Sequence, residues 1–442
     1  MNIDKSGVIN VNLSKALMIV SIALLTFFSL SDSPIATMVN SKLQSISLAF
    51  VSALLLITII KNKINVHFLF PLFIVMSMFI LRKTYFPIYS YFVQCYIAVF
   101  LVCIAAQSWS DTWIKFYLNL ARVGYWFYAI ITCLSYVSSS FYFNIILPFF
   151  RGTDRYGSLI SSYRKGFMAG FTSHYSNNGM YLAVGFIIAA VFCISSGWKK
   201  YRLETIFMAF SLLLTGKRAH ILFGVAALFL AYCILKLPEK GRGILKILGI
   251  VTSGVIVVII MFLTVPAMQN FASRLTTNVE DDGAMMNRFA FWGLAWKIFK
   301  SNPIFGIGWG EFRIHAAIEL DYEAYTHNVF LQLLCECGIV GTLAFLSFFI
   351  ITFIITIKTF YQFAKMDLLV NDKVKYLMFS FTMQTFFFAY CLTGNPLYDR
   401  IMYIPYFISC GIAYYYYWHS DFEIFGWSFE DLIKLIRKNN GS

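Results

Sequence analysis

Residues 338–357 read GIVGTLAFLSFFIITFIITI, twenty positions without a charge or a proline. A helix of roughly 20 mostly apolar residues is what crossing the hydrocarbon core of a bilayer requires. The pattern recurs along the chain. About twelve such segments can be drawn by hydropathy, near 14–31, 43–60, 67–81, 90–107, 116–138, 177–198, 203–216, 219–235, 247–265, 338–357, 375–393 and 401–418. Hydrophobic residues make up 59% of the 442 positions and charged residues 13%, against about 25% charged in a soluble domain. No segment alternates with the period of a barrel strand. The expected fold class is all-α: a polytopic integral membrane protein of about 12 transmembrane helices, forming a single membrane domain over 1–442. Lys5 and Lys15 precede the first segment and no small-residue cleavage site follows it, so it reads as a retained helix.

The net charge of +14 follows the same plan. Lys61 and Lys63, then Lys199, Lys200 and Arg202, then Lys236, Lys240, Arg242 and Lys246, then Lys358, Lys365, Lys373 and Lys375 fall in alternate loops. That is the positive-inside pattern, with both termini cytoplasmic. It leaves 32–42, 82–89, 139–176, 266–328 and 394–400 outside. No nucleic-acid motif accompanies the charge, and nucleic acid is not an expected partner. The aromatic and basic tail, 419–442, reads as a cytoplasmic interfacial segment lying on the inner leaflet. The nine cysteines lack any metal-ligand or disulfide spacing and read as soft core residues.

Two places break the charge rule. Arg151, Arg155, Arg164 and Lys165 lie in the outer loop 139–176, and Lys217 and Arg218 form a turn. From Leu203 to Gly216 the helix would span only about 21 Å, short of the roughly 30 Å core. Charge at that depth survives where it lines a protein-walled or water-filled cavity. Snorkelling of both long side chains to the interface is the plainer alternative. Arg122 lies near the cytoplasmic end of its span and is expected to reach inward to the headgroups.

The loop 266–328 gathers what the spans exclude. It holds Glu280, Asp281, Asp282, Glu311, Glu319, Asp321 and Glu323, seven of the twenty-one acids, together with Arg288, His315 and His327. Within it, 284–300 carries apolar groups at helical spacing and is expected to be an amphipathic helix on the membrane surface. Pro303 to Gly310 (PIFGIGWG) forms a glycine-rich turn without the strand context of a nucleotide loop. His327 and Asn328 stand at the start of the next helix.

These elements resemble the O-antigen polymerase/ligase superfamily. Arg288…Trp292, Pro303…Gly310 and HNVFLQLLCECGIVGTLAF (His327–Phe345) carry the resemblance, with LLLTGKRAHIL (Leu212–Leu222) and GFTSHYSN (Gly170–Asn177). Lys217 stands where a small residue is usual. The resemblance implies a metal-independent, inverting membrane glycosyltransferase with no cofactor, working on the outer side of a bacterial cytoplasmic membrane. Its donor would be an undecaprenyl-pyrophosphate-linked glycan. Its acceptor would be a second lipid-linked repeat (a capsule, exopolysaccharide or O-antigen polymerase) or a lipid A core (a ligase). Membrane lipids, a chain-length regulator and a flippase are the implied partners.

The residue types suit that chemistry. A departing pyrophosphate develops negative charge, which preorganised cations stabilise best where water is scarce. Arginine binds phosphate oxygens through two donors at once. The expected catalytic groups are His327 as base with Arg288 and Arg218. Glu280, Asp281 and Asp282 are second choices for the base, although a solvated acidic turn explains them as well. The expected substrate contacts are Lys217, Arg155, Arg164, His174, Asn177 and Asn328. A lipid-linked oligosaccharide flippase is the rival, but the chain shows neither repeated halves nor midplane polarity. A non-catalytic assembly protein would not need this collection of outward Arg and His.

Overall fold

The computed structural model describes residues 2–3, 9–10, 13–31, 41–61, 91–239, 249, 283–366 and 372–420. Apart from a two-residue antiparallel pairing of Asn2–Ile3 with Ile9–Asn10, these residues form helices joined by turns and loops. The helices are α1 (Leu13–Leu30), α2 (Ser41–Lys61), α3 (Tyr91–Ala105), α4 (Thr112–Val137), α5 (Tyr156–Arg164), α6 (Tyr175–Ser196), α7 (Trp198–Leu214), α8 (Arg218–Lys236), α9 (Gly283–Ser301), α10 (Phe312–Leu320), α11 (Val329–Lys365), α12 (Asp372–Cys391) and α13 (Arg400–Trp418). Helices occupy ten of the apolar segments drawn from sequence, while 67–81 and all of 247–265 except residue 249 lie outside the described residues. So do Glu280, Asp281, Asp282 and the tail from 421 onward. Five helices are long and apolar enough to cross a membrane: Leu43–Ile60, Thr112–Val137, Tyr175–Ser196, Arg218–Glu239 and Val329–Lys365.

The helices differ in how much of their surface is covered, and this orders the bundle. Along α13 nearly every residue from Ile401 to Tyr416 is buried, and α6 and α12 are nearly as enclosed. A helix apolar on all sides belongs at the centre. There α13 packs on α1, α3, α11 and α12, and α6 packs on α4, α7, α8 and α12. Stacked rings close the joints: Tyr96 on Tyr403 at 4.0 Å, Phe387 on Tyr406 at 4.0 Å and Tyr128 on Tyr181 at 4.2 Å. The outer helices keep apolar groups exposed, among them Phe50, Ile60, Val123, Leu203 and Leu222. Water would penalise such a surface, whereas lipid does not.

Two sequence expectations need correction. The α7 helix starts at Trp198, five residues before the expected Leu203, because a single residue, Gly197 at φ 106, turns the chain out of α6. Lys199, Lys200 and Arg202 therefore lie on the first turns of a helix, which at 17 residues is about 25 Å long. Arg122 does not snorkel. Its Nε and Nη2 donate to the two carboxylate oxygens of the buried Glu204, which also accepts from Trp126 Nε1 at 3.0 Å. A charge held inside a helix bundle needs a geometrically matched partner, and the arginine fork meets a carboxylate with two donors.

The glycine-rich turn is a structural splice. The α11 helix breaks at Gly338 (φ 64), which frees two carbonyls above the break and two N–H groups below it. Ile307 and Gly308 donate to the carbonyls of Cys335 and Glu336 at 3.0 and 2.8 Å. Ile339 and Val340 donate to the carbonyls of Pro303 and Ile304 at 2.8 and 3.2 Å. The turn thus supplies four backbone bonds at the break, where helical bonds are lost. Contact is so close that a Cβ on Gly306 would sit 2.3 Å from the Glu336 carbonyl carbon, and one on Gly338 would sit 2.3 Å from the Ile304 oxygen. Only glycine fits either position.

Candidate functional site

His327 is placed by a buried polar chain. It holds φ 56, a left-handed conformation unusual for a residue with a Cβ. Such strain persists only where the surroundings over-determine it. On one side, the Thr326 N–H donates to Gln332 Oε1 at 2.9 Å and its carbonyl accepts from Trp292 Nε1 at 2.9 Å. On the other, Asn328 caps α11, with Oδ1 accepting from the N–H groups of Phe330 and Leu331 at 3.0 and 3.1 Å. Gln332 passes the chain to Glu336, a fully buried carboxylate that also accepts from the Phe312 N–H at 3.2 Å and from the Tyr398 hydroxyl. The glycine splice, α10 and α11 therefore meet at Glu336. One face of α9 completes the support by burying Phe291, Leu294 and Ile298 against Phe312, Ala316 and Cys335.

A second segment, 166–174, lays His174 across the α7–α8 turn. The Met168 N–H donates to the Leu214 carbonyl at 3.0 Å, and Phe167 stacks on Tyr175 at 5.2 Å. Gly216, at φ 69, gives way to the Phe167 ring, which a Cβ there would meet at 2.4 Å. His174 caps α6, its Nδ1 accepting from the Ser176 N–H at 3.1 Å. The ring proton therefore resides on Nε2. Lys217 bridges the pieces, with its ammonium 4.6 Å from the Tyr175 ring centre.

These groups feel one another. Burial, Arg288 and Lys217 together lower His327 from its ordinary 6.5 to about 4. Burial, Lys217 and Arg155 lower His174 to about 4. Burial and then Arg288 lower Lys217 from 10.5 to about 8. At neutral pH both imidazoles are uncharged, while Lys217 stays mostly cationic. Two neutral rings thus stand among cations brought from α5, α9 and the α7–α8 turn.

The expected residues divide accordingly. Arg288, Lys217 and His327 lie near enough to perturb one another, and Lys217 also perturbs His174, as does Arg155, exposed at the N-cap of α5. Arg218 is exposed at the start of α8, and Arg164 is exposed in the last turn of α5. Asn328 has its carboxamide oxygen engaged in the helix cap, and Asn177 donates to Ser173 Oγ at 3.2 Å. Sequence reading did not anticipate Tyr390, beside Ser176 and Arg288. It also missed His220, a buried imidazole 4.6 Å from the Tyr390 ring whose two nitrogens have no protein partner among the described residues.

No curated protein matches the chain. Residues 203–346, which hold Lys217, Arg288, the glycine splice, His327 and Glu336, match the family described as O-antigen ligase. Over that segment, and with its membrane-length apolar helices, the chain is similar to the O-antigen polymerase/ligase superfamily of membrane glycosyltransferase-like enzymes.

Proposed function

We propose that the chain polymerises glycan repeat units carried on undecaprenyl pyrophosphate, at the outer side of a bacterial cytoplasmic membrane. The observation that carries this reading is the meeting of Lys217 and Arg288 with a neutral His327. Cations suit a diphosphate leaving group, and a neutral imidazole suits an acceptor hydroxyl.

The chemistry then runs as one displacement. The acceptor oxygen attacks the anomeric carbon of the donor sugar while His327 takes the hydroxyl proton. The bond from that carbon to the phosphate oxygen breaks, and its electron pair leaves with the lipid pyrophosphate, held by Arg288 and Lys217. His174, whose Nδ1 accepts from Ser176, offers Nε2–H as a donor to a phosphate oxygen rather than a lone pair to a proton. Binding of the diphosphate offsets the cations that depress His327, so the base strengthens when substrate arrives.

The test is incubation of purified protein with lipid-linked repeat units, followed by gel separation. A ladder of lengthening products supports polymerisation. Transfer onto a lipid A core alone would favour the ligase reading. Movement of the lipid across vesicles without transfer would overturn the enzymatic reading.

A further inference from the structure

A wide cleft among the described residues lies at the end of the bundle away from His327. It measures about 800 Å³ and opens between the first turns of α4, α7 and α12 and the last turn of α6. The α6 helix starts at the His174 cap and runs 22 residues to Ser196 on the cleft wall. At 1.5 Å per residue, about 33 Å separates the two places.

The wall is cationic. Lys115, Lys200 and Lys375 line it, against one carboxylate, Asp372. Lys375 is the unusual member, only 9% exposed, since lysine is almost never so buried unless paired. Its ammonium is held 2.5 Å from Asp372 Oδ1, 4.7 Å from the Phe192 ring centre and 5.1 Å from that of Tyr376. A lysine placed only to mark the inner side of a membrane would extend into water, whereas this one is pinned inside the wall. Lys200 is drawn over the Tyr201 ring at 5.2 Å. Three helices present their N-terminal ends here, and aligned backbone dipoles make such ends partly positive. Asn119 and Ser195 add neutral hydrogen-bonding groups to the lining.

We propose that this cleft binds a phosphate group, carried either by the headgroup of an anionic membrane lipid or by a soluble phosphate. Its size suits such a ligand, since small-molecule sites run from about 300 to 1,000 Å³. Basic pockets between membrane helices are where anionic headgroups dock. The cleft shares no lining residue with the His327 cluster, so the two sites can be tested apart.

The experiment uses the full chain and two probes, phosphatidylglycerol and inorganic phosphate. Protein is exchanged into phosphatidylglycerol or phosphatidylcholine, and retained lipid is counted by native mass spectrometry. Phosphate binding is measured separately by equilibrium dialysis. The variants are Lys115→Gln with Lys200→Gln, and a control pair outside the cleft, Lys199→Gln with Lys365→Gln. All four lysines are exposed, so folding is not at stake. The cleft pair is expected to weaken binding of one probe roughly 30-fold, while the control pair changes it less than 3-fold. Loss of phosphatidylglycerol that 10 mM phosphate does not mimic by competition identifies the headgroup. Loss of phosphate binding identifies the soluble ligand. Unchanged binding of both probes in the cleft pair, or equal loss in the control pair, would overturn the proposal.

Discussion

Gly338→Ala should undo the splice between the glycine turn and α11. The new Cβ would lie 2.3 Å from the Ile304 oxygen and 2.5 Å from the Phe305 nitrogen, both backbone atoms that cannot rotate away. The left-handed backbone adds roughly 1–2 kcal/mol for any residue with a Cβ. Four backbone bonds depend on the docking, at about 1 kcal/mol each net. Full release of the turn therefore costs about 5 kcal/mol locally, or between 10³- and 10⁴-fold in the opening equilibrium. Hydrogen–deuterium exchange of the purified protein reads this at the amides of Ile307, Gly308, Ile339 and Val340. Gly306→Ala should give the same pattern, because its Cβ would strike the opposite partner at 2.3 Å. Both changes break one docking, so the double variant should lose little more than the worse single. Wild-type protection at those amides in Gly338→Ala would refute the splice, and strict additivity would refute its reciprocity.

Three further outcomes follow from the same geometry. Arg122→Ala strands the buried Glu204 carboxylate and should destabilise the protein by about 3–5 kcal/mol. Arg122→Ala with Glu204→Gln should recover most of that loss in thermal unfolding. The pH profile of kcat/KM should rise through about pH 4, as His327 loses its proton, and fall through about pH 8, as Lys217 does. Lys217→Arg keeps the charge and should carry the alkaline limb upward, whereas an unmoved limb would remove Lys217 from the reaction. His327→Ala should lower turnover roughly 10²–10⁴-fold without changing hydrogen exchange across the bundle. His174→Gln can keep a hydrogen-bond donor and should act more mildly.

The helices were legible because lipid imposes one strong rule, long runs without charge, and Leu43–Ile60 or Tyr175–Ser196 could hardly be read otherwise. His327 and Arg288 could be singled out because polar chemistry is scarce in such a chain. The splice was not legible. Gly338 costs a helix only about 1 kcal/mol, and nothing local tells a broken helix from a close-packed one. Its partner turn lies some thirty residues upstream. The pairing of Arg122 with Glu204 spans 82 positions and follows from how α4 packs on α7. From the sequence, Arg218 was the expected catalytic cation and Lys217 a substrate contact. The positive φ of Gly216 and the Tyr175 ring turn Lys217 toward His327, while Arg218 stays exposed. Asn328 stood at a helix start, and its side chain went to the cap that asparagine favours there.

A structure of the protein with a lipid pyrophosphate bound tests the central claim most directly. The account places the diphosphate between the Lys217 ammonium and the Arg288 guanidinium, with His327 facing the acceptor side of the anomeric carbon. A diphosphate seated away from both cations, with His327 out of reach of any acceptor hydroxyl, would contradict it.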